Sequence, residues 1–114
     1  MITTHEMRLH PRPFDRIRNG EKVIEMRLND EKRQEIKVGD HIEFLKRPDF
    51  VEKAMVEVIE LLYAPTFAAL AATRPPAEFG MPDVSRAERM YEYYSKEDEQ
   101  KYGTVGIKFK VVKN

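Results

Sequence analysis

The stretch Gly20-Glu21-Lys22-Val23-Ile24-Glu25-Met26-Arg27 decides how this chain is read. From Val23 to Leu28 the side chains alternate. Ile24, Met26 and Leu28 make one apolar face, while Val23, Glu25 and Arg27 share the other. A strand with that pattern has a core side and a side that sets a carboxylate beside a guanidinium. Lys22 stands in the loop just before it. A loop cation with an acid and a guanidinium on one strand face is how a small barrel builds a polar pocket. The same charges also suit an ion pair that lines a barrel mouth, worth about 0–1 kcal/mol if exposed.

Working outward, the segment before the motif has helical spacing. Phe14 and Ile17 are three apart, prolines at 11 and 13 are tolerated in a first helical turn, and Asn19-Gly20 stops the helix. Glu6 to His10 reads as a first strand. After the motif, Asp30 to Glu35 is a short helical turn and Lys37-Val38-Gly39-Asp40 a tight turn. His41 to Leu45 is a strand, and Lys53 to Tyr63 a long one, curved or bulged. Thr66 caps a short helix, Phe67 to Ala72. Asp83 or Ser85 caps a stronger helix, whose stripe is Val84, Ala87, Met90, Tyr91 and Tyr94; Ser85 with Glu88 fits a capping box. Ser95 with Asp98 opens a last helical turn that ends at Gly103, and Thr104 to Val112 is the final strand.

This order implies an α+β fold: a small β-barrel of five to six mostly antiparallel strands with helices packed on one side. Closure removes the edges that short strands otherwise expose. The 114 residues make one domain, 1–114, long enough for a real core. There is no cysteine, which excludes disulfides and thiolate metal sites and fits a reducing compartment. No leader is expected at Met1 and no apolar run approaches a bilayer span, so a cytoplasmic protein with no membrane association is expected. The 20 basic and 20 acidic residues cancel, so no global field draws nucleic acid, and such a partner must be held by a local patch or pocket. His5, His10 and His41 lack metal-ligand spacing; neither a metal nor a cofactor is expected.

The motif Gly20-x-Lys22-x-x-Glu25-x-Arg27, preceded by Phe14-x-x-Ile17 and followed by Val38-Gly39-Asp40, resembles the ASCH domain family, part of the PUA-like group of small barrels. The run Tyr91-x-x-Tyr94-Ser95-x-x-Asp98-Glu99-x-x-Tyr102-Gly103-x-Val105-Gly106-Ile107 resembles the family's closing helix, turn and strand. The resemblance covers about His5 to Val111. It implies a PUA-like barrel of five or six strands, a cleft between barrel and helices, and a role in binding RNA or a nucleoside. One branch of the family is an amidohydrolase acting on N4-acetylcytidine. There the motif's lysine works with a threonine nucleophile and a separate glutamate. This chain keeps Lys22, carries Glu25 at the threonine position, and has Glu78 where that branch has its loop carboxylate.

The residues themselves suggest roles. Arg27 offers a planar donor fork to a phosphate or carboxylate. Lys22 is a compact cation that can serve as a base when desolvated. Glu25 can accept from an exocyclic amine of a base, and Tyr91 or Tyr94 can supply a stacking face. Lys46 and Arg47 cover a turn or border the cleft, and Lys101, Lys108, Lys110 and Lys113 form a basic patch or protect an edge strand. Three functions compete. The first is an RNA- or nucleoside-binding module using Lys22, Glu25, Arg27 and Tyr94. The second is an amidohydrolase or nuclease with Lys22, Glu25 and Glu78 as catalytic candidates. The third is a protein-interaction domain.

Overall fold

The computed structural model describes residues 2–112. Each alternating segment forms a strand: β1 (Thr4–Leu9), β2 (Ile24–Leu28), β3 (His41–Lys46), β4 (Lys53–Ala64) and β5 (Thr104–Val111). They make one sheet in the order β1-β3-β4-β5-β2, in which β1 and β3 run parallel and every other pair is antiparallel. The long β4 is bulged, its register against β5 slipping between Val58 and Glu60. That bulge adds local twist and helps to curl the sheet into a half-barrel. The edge strands β1 and β2 share no backbone ladder among the described residues. A side chain joins them instead: the Arg27 guanidinium of β2 donates to the Arg8 carbonyl of β1 at 3.2 Å.

Helix α1 (Pro11–Arg18) carries proline in its first turn and ends before Gly20, whose φ of +86° suits glycine. It plugs the hollow of the sheet with Phe14 and Ile17, both 0 % exposed, against Phe44, Val56 and Ile107. Burying two such side chains contributes about 1.5–3 kcal/mol each. On the other side of the sheet, Ile24, Met26 and Leu28 of β2 pack against Phe67 and Leu70 of α3 (Phe67–Ala71). β2 is thus apolar toward the helices, and its Glu25 and Arg27 turn the opposite way. Gly106 makes this close packing possible, because a Cβ there would meet Leu70 at 3.2 Å.

Helices α2 (Glu31–Gln34) and α4 (Lys96–Tyr102) are capped by Asp30 and Ser95, the second as the Ser95–Asp98 spacing implies. The expected helix after Pro82 differs. Val84–Glu92 winds as a 3₁₀ helix, and its cap is Asp83, which accepts from the Ser85 amide at 2.9 Å; the Ser85–Glu88 box does not form. The far end of this segment is tethered at Tyr91, whose hydroxyl donates to Glu99. At 2.0 Å per residue, nine residues reach about 18 Å; an α-helix would reach about 14 Å. Only Ala87 of the segment is buried, so no broad apolar face holds it to the 3.6-residue period. A further 3₁₀ turn, Pro76–Phe79, occupies what reads in sequence as plain loop.

Candidate functional site

The loop that carries Lys22 is held by the end of α1, where the Arg16 carbonyl accepts from the amides of both Glu21 (2.9 Å) and Lys22 (3.0 Å). The 3₁₀ turn at Pro76–Phe79 is tied to the same loop. Val23 N donates to the Glu78 carbonyl at 2.9 Å, and Arg16 Nη1 donates to the Gly80 carbonyl at 2.6 Å. Gly80 has a φ of +73° and lies directly against the Lys22 stem.

Glu25 is the hub of the motif. It is 5 % exposed. Lys22 Nζ donates to its Oε1 at 2.6 Å, Arg27 Nε donates to its Oε2 at 2.8 Å, and Arg27 Nη2 stands 2.8 Å from the same oxygen as an ion pair. Burial on its own raises the Glu25 carboxyl, but Lys22 and then Arg27 outweigh it and bring the group from 4.5 down to about 2. Burial opposes the charge on Arg27 too, yet Glu25, followed by the Tyr94 hydroxyl, raises its pKa above the ordinary value. The carboxylate and the guanidinium are ionised, and the three residues are fixed in place.

They form part of the wall of an open cleft of about 1240 Å³. Its walls come from the end of β1, from α1, from β2, and from the loop and 3₁₀ segments between residues 77 and 94. Among the described residues, Lys22 and Arg27 are joined around it by Arg8, Arg12, Arg16, Arg47, Arg86 and Arg89, whereas Glu21 and Glu25 are the lining acids. A chain of zero net charge has therefore gathered eight cations around one hollow. Among the described lining residues there is no Ser, Thr or Cys.

Lys22, Glu25, Arg27 and Tyr94 come together here, and Tyr94 also stacks on Phe67 with ring centroids 5.7 Å apart. Glu78 does not join them: its carboxylate accepts from Lys108 Nζ at 3.2 Å and is not part of the cleft wall. Tyr91 is also directed elsewhere. Its hydroxyl donates to Glu99, whose carboxylate accepts the Phe67 amide at 2.8 Å and so tethers the start of α3. Arg47 borders the cleft, whereas Lys46 pairs with Asp15 and Glu52. Of the C-terminal lysines, Lys108 is taken by Glu78, and Lys113 lies outside the described residues.

Sequence reasoning missed Tyr93, which is 63 % exposed at the cleft with its ring 6.1 Å from that of His10. It also missed five arginines: Arg8, Arg12, Arg16, Arg86 and Arg89. The signal for Tyr93 was a period of three through Ala87 and Met90. The arginines gave none, being scattered over three segments that only the fold brings together.

The family model described as ASCH domain matches residues 7–113. Among solved structures, the chain is similar to hypothetical protein PH0355, at 28 % identity and a TM-score of 0.85, covering 96 % of this chain and 100 % of that one. It is similar to protein PF0455 from Pyrococcus furiosus, at 28 % identity and a TM-score of 0.76, covering 98 % and 100 %. A mutant form of the ZmASCH protein from Zymomonas mobilis shares the fold at 10 % identity, with a TM-score of 0.70 over 95 % of this chain and 69 % of that one. No curated protein matches. No helix of the described residues is long and apolar enough to cross a membrane.

Proposed function

The chain belongs to the ASCH domain family, and from that premise we propose that it is an RNA-binding module whose cleft holds one unstacked nucleotide. The observation that carries this reading is the gathering of eight Arg and Lys side chains, against two carboxylates, around a single hollow of a neutral protein. Cations in that number match phosphate oxygens. Glu25 supplies the polar reader. A carboxylate offers about four acceptor sites; Lys22 occupies one on Oε1 and Arg27 covers Oε2, leaving one on Oε1 for an exocyclic amine. Tyr93 presents an exposed ring on which a base can stack.

The same geometry favours binding over hydrolysis. A carboxyl brought down to about 2 is a weak base near neutral pH. Among the described residues, the wall supplies no aliphatic hydroxyl or thiol to serve as a nucleophile.

Incubation with short single-stranded RNA and with N4-acetylcytidine, following both binding and products, tests the reading. RNA is expected to bind saturably, more weakly as salt rises, and to be recovered intact. Turnover that disappears in Lys22→Ala would replace the module with a hydrolase. Neither binding nor turnover would favour a protein partner.

A further inference from the structure

A second hollow, of about 400 Å³, lies beside the first. The two share Arg8, Arg27 and Arg47, which form the ridge between them. Lys32 and Arg33 belong to the second hollow alone, and among the described residues its one carboxylate is Glu6. The ridge coincides with the open seam of the half-barrel, where Arg27 of β2 reaches the Arg8 carbonyl of β1.

The arginines of this hollow are held in advance. Arg8 and Arg47 both lie over the Phe50 ring, 4.9 and 5.9 Å from its centroid. Arg33 is fixed by Asp30, which accepts from its Nη1 at 3.1 Å, while its buried Nε has no hydrogen-bond partner among the described residues. Lys32 is exposed and makes no ion pair among the described residues. Cations already in place lose less freedom when an anion arrives.

A lone nucleoside would leave this arrangement unused. It carries no phosphate, and the first cleft alone exceeds the roughly 300–1,000 Å³ usual for small-molecule sites. We propose that the second hollow is a phosphate subsite, and that the ligand is a single strand of RNA running from the cleft over the Arg8–Arg27–Arg47 ridge. This rests on the RNA-binding reading and extends it from the one nucleotide in the cleft to the path of the strand beyond it. The strand is single because Glu25 and Tyr93 need an unstacked base.

The experiment compares cytidine 3′-monophosphate with a cytidine RNA octamer, titrated against the wild-type chain and Lys32→Glu at several salt concentrations. Lys32 touches the second hollow only, and thermal unfolding checks that the variant is folded. Wild type is expected to bind the octamer at least about tenfold more tightly than the mononucleotide, with a steeper salt dependence. Lys32→Glu should weaken octamer binding about fivefold or more and lower its salt slope by about 0.7, leaving the mononucleotide unchanged. Equal affinity for both ligands, or an octamer affinity untouched by Lys32→Glu, would overturn the subsite while the cleft stands. A folded wild-type protein that binds neither ligand would overturn the cleft reading as well.

Discussion

Gly80 and the Lys22 stem are in direct contact: a Cβ added at Gly80 would stand 3.0 Å from Lys22 Cδ and 3.3 Å from its Cβ and Cγ. The absence of a side chain at position 80 is what lets Lys22 lie across the loop and reach Glu25.

Gly80→Ala is therefore expected to act on the site twice. The left-handed backbone costs about 1–2 kcal/mol with a side chain present, and the added methyl displaces Lys22. Thermal unfolding should show a modest loss of stability, and RNA titration a loss of affinity of about tenfold. An affinity equal to wild type would mean that Lys22 does not need its present path.

Glu25 should make stability depend on acid. Its folded pKa is lowered from 4.5 to about 2, so its contribution is present above 4.5 and is lost as the pH falls through 2. The size is on the order of 3 kcal/mol. Glu25→Gln, which leaves Lys22 and Arg27 without their counter-charge, should be less stable at pH 7 by roughly 3 kcal/mol. The gap should shrink on acidification toward pH 3. Urea unfolding across that range measures it, and a gap independent of pH would rule out the ionised hub.

Neighbouring tyrosines should behave oppositely. Tyr93→Ala removes an exposed ring at the cleft and is expected to cost about 1–3 kcal/mol of RNA binding with little change in stability. Tyr91→Phe removes a donor to the buried Glu99 and should cost about 1–3 kcal/mol of stability with RNA affinity retained. Paired titrations and denaturant unfolding distinguish the two.

Arg86 is exposed at the cleft. Arg86→Ala should weaken RNA binding at low salt and lower the slope of log affinity against log salt by about 0.7, the signature of one lost phosphate contact on a single strand. A parallel shift with unchanged slope would assign Arg86 another role.

Much of the fold was legible because burial repeats with period two along the strands and because Thr66 and Ser95 stand where caps must stand. The winding of Val84–Glu92 was not, since positions 84, 87 and 90 satisfy a period of three as well as one of 3.6. Lys22, Glu25 and Arg27 were visible as a group because they lie within six residues of one another. The rest of the basic wall was hidden by two facts: Arg8, Arg16 and Arg86 are far apart in sequence, and a net charge of zero conceals their convergence. Glu78 shows the limit of reading a loop. Its backbone supports the site through Val23, while its side chain faces Lys108.

The tight winding across the cleft mouth has an evolutionary corollary. Residues three apart eclipse one another in a 3₁₀ helix, so Arg86 and Arg89 project in the same direction. Inserting or deleting one residue between them would swing everything downstream by about 120°. Arg89 and Tyr93 would leave the opening together. Homologous chains can therefore drift in residue identity along this stretch far more readily than in its length.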